Sequence, residues 1–230
     1  MRAERTQALR RGAVAAAVAA ALAATLAGGP HDALAATPGV AEALGSQAYV
    51  FVVPLLEFLR VRREQTSVRC PDGRGNSPVN SFSHARGFAD ASARTVVAPN
   101  TDTLYSIAHL DLGRGPIVLS HPRMGRRYYS FALLDPYTNV IDIPGLREDG
   151  GDAGSYLIRW NRKPAKRKRA DVDRVITSRY RRVWVIGRTL ATGAADQRKA
   201  HKLMKRYRLK PLKGKRRRFG RGCVPGEPAE

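Results

Sequence analysis

The sequence predicts an α+β domain that combines a β-rich antiparallel sheet or sandwich with a buried N-terminal helix and a C-terminal helix. Three observations predict this class: apolar residues at helical spacing near the start, short alternating segments in the middle, and a last amphipathic stretch before a proline. The chain has 230 residues, of which 43% are hydrophobic, so it contains enough apolar side chains for one ordinary core.

The first helix is predicted at residues 40–63. Leu44, Ala48, Phe51 and Leu55 recur at the spacing of one helix face, and the valines between them widen the apolar surface. We therefore expect this helix to be largely buried, with a kink at Pro54.

The middle of the chain predicts a series of short strands. The segment 103–112 alternates, which places Leu104 on a core face and Tyr105 on the opposite face. Turns rich in Gly, Pro and Asp separate the segments, and this spacing favours antiparallel connections. The predicted strands are 95–97, 103–112, 117–119, 127–134, 138–143, 155–160, 172–177 and 182–190, with a helical or irregular piece at 84–93.

The last helix is predicted from Asp196, a good capping residue, to about residue 208. Ala200, Leu203 and Met204 lie at helical spacing there, and Pro211 follows the expected end.

The amino end has the layout of an export signal. Basic residues precede an uncharged, Ala-rich run at 12–29, and a small-x-small pattern ends at Ala35. We predict cleavage between Ala35 and Ala36. A retained membrane helix is the alternative, but the run is only marginally apolar. We expect the mature chain to be secreted or extracytoplasmic and without a transmembrane segment, and association with the cell wall is one of the locations that this allows.

The two cysteines, Cys70 and Cys223, each lie in a turn-rich stretch. In an oxidising compartment two cysteines favour one disulfide bond, and two unpaired thiols are the alternative. Metal binding is not expected, because two isolated cysteines without a nearby histidine do not supply a tetrahedral site.

Positive charge is concentrated in the carboxyl third of the chain. The formal net charge is +22, whereas residues 36–158 are formally neutral, with 12 basic and 12 acidic residues. Two dense basic runs predict attraction to a polyanion, namely anionic cell-wall polymer or an anionic lipid surface, and no specific nucleic acid is expected in an exported protein. The alternative is a solvated surface without a partner. The residues predicted to bind the polyanion are Arg162, Lys163, Lys166, Arg167, Lys168, Arg169, Lys215, Arg216, Arg217 and Arg218.

The common catalytic and nucleotide-binding motifs are absent from the sequence: it contains no GxSxG, HExxH, GxxxxGK[ST] or helix-opening GxGxxG pattern. We expect no cofactor and no metal.

Polar and aromatic residues cluster at predicted strand ends. If the strands are neighbours, these ends meet, and amide, carboxylate, phenol and guanidinium groups form a ligand site. The alternative is structural, because such stretches also make good Asx and β-turns. The candidate ligand-binding residues are His84, Asn100, Asp102, Tyr105, Tyr128, Tyr137, Asn139 and Arg147.

The same residues carry a family resemblance. The run Pro99-Asn100-Thr101-Asp102-Thr103-Leu104-Tyr105 resembles the family known as domain of unknown function 1254. The resemblance extends over about residues 41–212. It also includes 80–84, 110–112, 115–116, 118–119, 127–130, Asp135, 137–139, Gly145, Arg147, 153–154, Tyr156 and 183–189.

This resemblance implies a bacterial, often exported, β-rich domain without an established general activity. A second domain follows in many members, and we expect this chain to lack it. The predicted organisation is a cleaved signal at 1–35, a single domain at 36–212, and a basic tail with Cys, Pro and Gly at 213–230.

Three functional hypotheses remain open. The first is a secreted protein that binds a polar or anionic ligand at the strand-end cluster, with its basic third at an anionic surface. The second is an extracytoplasmic enzyme in which Asp102 or His84 is the base, Tyr105 or Tyr128 the acid or oxyanion donor, and Arg147 an anion clamp. The third is a structural envelope protein without a pocket.

Overall fold

The computed structural model describes residues 38–88, 100–161, 172–212, 223–225 and 228. The predicted signal with its cleavage position, the strand at 95–97, and both basic runs lie outside the described residues. The chain divides after Tyr49 into two units. In the first unit the structure describes only the start of the first helix, and the second unit contains the sheets.

The described elements are nine strands, three α-helices and one 3-10 turn. The helices are α1 (Pro38–Thr66), α2 (Leu146–Asp149) and α3 (Gly193–Met204), and a 3-10 turn lies at Leu112–Arg114. The strands are β1 (Ser83–His84), β2 (Thr103–Asp111), β3 (Ile117–His121), β4 (Tyr129–Leu134), β5 (Val140–Asp142), β6 (Gly154–Trp160), β7 (Arg174–Ser178), β8 (Arg182–Leu190) and β9 (Arg208–Pro211). The α+β class predicted from the sequence is confirmed.

The strands form two sheets. One has the order β1-β2-β8-β4-β5 and the other the order β7-β6-β3-β9. The described pairs are antiparallel, as the turn spacing predicts, except that β6 and β7 are parallel. The inner faces of both sheets share one core, and the ring of His121 in β3 lies 4.4 Å from the ring of Tyr129 in β4.

The alternation predicted for β2 is confirmed on its inner face. Leu104, Ala108 and Leu110 are fully buried there, because their side chains point toward the second sheet. On the outer face His109 is also buried, since the ring of Phe58 in α1 packs 5.9 Å from it and Trp184 stacks on it at 5.6 Å.

The first helix forms where the sequence predicts it, but the expectation that it is largely buried is wrong. Val50 and Leu56 are 72% and 57% exposed, and Phe58 is the one apolar side chain that the described part of α1 buries fully. The apolar pattern identifies the helix. The inner sheet faces and α3 already complete the core, however, so α1 packs on the outside of the first sheet through Phe58 and its neighbours.

The carboxyl end also differs from the sequence prediction. The helix α3 begins at Gly193 and ends at Met204, and the chain continues into β9 instead of remaining helical to residue 208. Pairing of β9 with β3 decides this, because Leu209 lies opposite Leu119 and both are buried. Asp196 lies in the first turn of α3, where its carboxylate accepts a hydrogen bond from the Thr192 backbone at 3.0 Å.

A disulfide bond joins Cys70 to Cys223, across 153 positions of the sequence. The bond predicted from the two turn-rich stretches is therefore present. It ties the segment after α1 to the end of the chain, and a short bridge between Val68 and Pro228 lies beside it.

Candidate functional site

The residues predicted at strand ends are largely occupied by their own turns. Asn100 begins β2 with an Asx turn, in which its Oδ1 atom accepts hydrogen bonds from the backbone of Asp102 at 2.8 Å and of Thr103 at 3.1 Å. Asp102 is exposed, and its carbonyl oxygen accepts a bond from Ala191. This turn fixes the start of β2 at the edge of its pairing with β8.

A second predicted turn surrounds Asp135. Its buried carboxylate accepts bonds from the backbone of Tyr137 at 2.8 Å and of Asn139 at 3.0 Å, and from the Asn139 amide at 3.1 Å. The ring of Tyr137 packs near Phe51 and Tyr180. The two predicted residues, Tyr137 and Asn139, thus share one turn and are held by its carboxylate.

On the outer face of the first sheet, two predicted tyrosines contact residues that lie opposite each other on β8 and β4. Arg188 lies opposite Tyr105 on one side and Ser130 on the other, and its guanidinium lies 5.8 Å from the Tyr105 ring. The hydroxyl of Tyr128 donates to Ser130 at 3.2 Å. Arg147 is exposed on the short helix α2.

A concavity of the described chain lies beside β1. It is a cleft of about 1220 Å³ between β1, the segment before it, α3 and the start of β9. Among the eight predicted ligand residues, all of which the structure describes, His84 lines this cleft and the other seven do not. The lining residues are Pro71, Gly73, Asn80, Ser81, Phe82, His84, Arg86, Ala194, Gln197, Arg198, His201, Lys202, Lys205, Tyr207, Arg208 and Leu209.

The charge of this cleft is one-sided. Five arginine or lysine side chains line it together with two histidines, whereas none of the described lining residues is an aspartate or glutamate. Three of the cations follow one another on one side of the chain at i, i+4 and i+7: Arg198 and Lys202 on α3, and Lys205 at the position that caps its end. Over that interval the helix rises about 10 Å.

His84 lies on the opposite wall of the cleft. Its Nδ1 atom is 2.9 Å from the Oγ atom of Ser106, and its ring stacks on Phe82 at 5.4 Å. Burial first, and then the charges of His201 and two basic side chains, lower the pKa of His84 to about 3. His84 is therefore neutral at physiological pH. When the Ser106 hydroxyl donates to Nδ1, the ring proton lies on Nε2.

His201 on α3 completes the pair of cleft histidines. Its Nδ1 atom lies 3.3 Å from the carbonyl oxygen of Ala85, to which it donates. Burial and then the charge of Lys205 lower the pKa of His201 below its usual value. Both histidines are thus held in the neutral form by an environment that disfavours a further positive charge.

The contact between His84 and Ser106 is not a nucleophile and base pair of the hydrolase type. Ser106 is fully buried on the inner face of β2, so a substrate cannot reach its hydroxyl. The described residues also contain no group of three or more His, Cys, Asp or Glu side chains placed to hold a metal ion. The cleft offers cationic groups and hydrogen-bond donors.

Sequence reasoning missed the α3 wall of the cleft. The signal was present, because Arg198, Lys202 and Lys205 share a helix face in the basic carboxyl third. Nothing in the sequence, however, indicates that this face lies opposite His84.

Comparison with known families covers most of this site. The family model described as "Protein of unknown function (DUF1254)" matches residues 79–211, which is more than half of the chain. The chain belongs to the DUF1254 family. The matched region contains every lining residue of the cleft except Pro71 and Gly73.

The fold of this DUF1254 chain is similar to that of a solved structure. The VPA0106 protein from Vibrio parahaemolyticus matches with a TM-score of 0.58 and 21% sequence identity. The match covers 76% of this chain and 40% of the Vibrio chain, so the DUF1254 chain spans well under half of that protein. At this identity the likeness shows the fold. No curated protein matches the sequence.

Replacing His84 with Gln should make the free energy of unfolding less sensitive to pH. The pKa of His84 is lower in the folded chain than its usual 6.5, so the unfolded chain takes up the proton first. The stability that neutral His84 provides is complete above about pH 6.5 and is lost as the pH falls toward about 3. Between pH 7 and pH 5 this loss is about 1–2 kcal/mol.

Denaturant unfolding of both proteins at several pH values measures this difference. His109, whose pKa burial also lowers to about 3, is present in both proteins and contributes equally to each curve. Identical pH slopes would contradict the described environment of His84.

Substituting Asn100 with Ala should destabilise the fold by about 1–2 kcal/mol, because two backbone N–H groups at the start of β2 lose their acceptor. The matched control is Arg147→Ala, another predicted site residue, which is exposed and should change stability by less than about 0.5 kcal/mol. Thermal unfolding compares the two variants. An Asn100→Ala protein as stable as the parent would show that this turn is not structural.

Proposed function

We propose that this DUF1254 chain is an exported anion-binding protein and that its ligand occupies the basic cleft between β1 and α3. The observation that carries the proposal is the one-sided charge of the cleft: five arginine or lysine side chains and two histidines, without an acidic residue among the described lining. Like charges held together repel one another, and a bound anion removes that repulsion.

The lowered pKa values of the two histidines are consistent with this proposal. Burial is the largest cause of each shift, and the lining cations add to it. Positive neighbours contribute to the lowered pKa of His84 and of His201, so the field in the cleft is positive at both walls. A neutral His84 with its proton on Nε2 can donate a hydrogen bond from that atom to an anion. An anion in the cleft would raise the pKa of both histidines.

The dimensions favour a ligand that carries several charges. The cleft volume of about 1220 Å³ exceeds the ordinary range for sites that bind one small molecule. The row of cations on α3 extends over about 10 Å, which suits successive charges of an anionic polymer such as a wall polymer. The basic runs predicted at 162–169 and 213–218 would add to the attraction. Their role remains part of the proposal.

The enzyme hypothesis finds less support in the geometry. It needs a base, either Asp102 or His84, to act on one substrate together with Arg147 and with Tyr105 or Tyr128. Of these residues only His84 lines the cleft. Asp102 is exposed beside the Asx turn, and Arg147 is exposed on α2. We therefore propose binding, with the cleft in place of the strand-end cluster as the ligand site.

The double variant Lys202→Glu/Lys205→Glu should bind inorganic tripolyphosphate at least about tenfold more weakly than the parent chain. Each lysine is an exposed cation of the cleft, and a hydrogen bond to a charged group typically contributes about 1.5–3 kcal/mol. Isothermal titration calorimetry at fixed ionic strength measures the affinity.

The matched control is Arg114→Glu/Arg179→Glu. It carries the same change in net charge, and both side chains are exposed and do not line the cleft. They lie beyond the end of β2 and β8 where Asp111 pairs with Arg182, which is the end remote from α3. The control should bind within about threefold of the parent, because distant surface charges are screened. Equal weakening of the two double variants would show that binding depends on overall charge and not on the cleft.

A further inference from the structure

The first helix presents an apolar surface that the described fold does not cover. In the second unit, Val50 is 72%, Phe51 66% and Leu56 57% exposed. Tyr49, the last residue of the first unit, is 71% exposed. Exposed apolar side chains are ordinary when scattered singly. A continuous group of them on one helix indicates contact with an apolar partner.

The apolar side chains of α1 point in all directions. Residues 48–56 form an unbroken run without a charged side chain, in which the Tyr49 hydroxyl is the one polar side-chain group, and successive residues of a helix are rotated by about 100°. Such a run has no polar stripe for solvent. A helix that docks into a protein groove presents one apolar face, whereas a helix that is apolar all round suits a medium that surrounds it.

The length of α1 and the position of its charged residues indicate that the surrounding medium is lipid. Among the described helices, Gly39–Thr66 is long and apolar enough to cross a membrane by length and composition, and its most apolar part is not buried. Glu42 is the one charged residue between positions 38 and 56. The charged residues that follow, Glu57, Arg60, Arg62, Arg63 and Glu64, carry a net charge of +1, and Arg60 is paired with both glutamates. An apolar segment that ends in charged residues is typical of a helix whose end lies at lipid headgroups.

We propose that residues 39–56 of α1 insert into the hydrocarbon layer of an anionic lipid bilayer, with Arg63 at the headgroups. Arg63 is exposed, and the formal net charge of +22 favours an anionic leaflet. Phe58 packs against His109 on the first sheet, so the helix remains attached to the domain next to the bilayer. This surface is separate from the cleft and does not depend on the proposed function.

The experiment uses the protein in the form that a bacterial host secretes and attaches an environment-sensitive fluorophore to it. The native cysteines are joined to each other, so a single cysteine introduced as Val50→Cys accepts the label. A second protein carries the label at Thr101→Cys, an exposed turn position. On addition of vesicles of phosphatidylglycerol and phosphatidylcholine, the emission of the label at position 50 should shift to the blue, and that of the label at position 101 should not shift.

A charged variant tests whether the apolar helix itself causes the binding. Val50→Glu/Leu56→Glu should lower the vesicle partition coefficient by at least about tenfold, because carboxylates at apolar depth are costly. Thr101→Glu/Ala195→Glu adds the same two charges at exposed positions and should change it by less than about threefold.

Two results would overturn the proposal. In the first, the charged variant partitions as well as the parent, so that the basic residues alone hold the chain at the surface. In the second, the label at position 50 is already blue-shifted without vesicles and the chain elutes as a dimer, which would show that a second copy covers α1.

Discussion

The ion pair between Arg127 and Asp196 fixes the helix that forms one wall of the basic cleft. Two guanidinium nitrogens of Arg127 donate to the two carboxylate oxygens at 2.7 and 2.6 Å, and the side chain also donates to the Leu190 carbonyl at 2.6 Å. Both side chains are largely covered, at 18% and 25% exposed. A bidentate pair in such surroundings sets the orientation of its partners more strictly than an exposed pair does.

The interior contacts of α3 act with this ion pair. Ala200 and Met204 are buried in the core, and the hydroxyl of Tyr207, just beyond the helix, lies 2.8 Å from that of Thr189 in β8. With its inner face held by these contacts, α3 turns Arg198, Lys202 and Lys205 toward the cleft. The packing of α3 therefore holds these cations close together although they repel one another. Such unfavourable local interactions are more often found at binding sites than elsewhere in a protein.

The sequence predicts the elements better than their surroundings. The alternation in β2 and β8 is sufficient to identify both strands, and the inner face of β2 is buried as that pattern requires. The turns at Asn100 and Asp135 are equally local, so their hydrogen bonds follow from the residue types. The local pattern does not specify which distant segment a strand pairs with. The strand β9 is an example, because its pairing with β3 replaces the last turn of the predicted helix.

The same distinction explains the candidate site. His84 is among the predicted ligand residues, but its neighbour in the cleft, His201, lies more than a hundred positions later in the chain. That meeting depends on the pairing of β1 with β2 and on the docking of α3, which are long-range contacts. The apolar residues of α1 likewise predict a helix, whereas their exposure depends on whether anything packs opposite them.

A crystal structure of the chain soaked in sodium selenate tests whether the basic cleft binds anions, because the anomalous signal of selenium locates the bound anions without reference to any activity. We expect a selenate ion within hydrogen-bonding distance of His84, His201 or Lys202 inside the cleft. Selenate bound only to scattered surface lysines and arginines, with the cleft holding none, would contradict it.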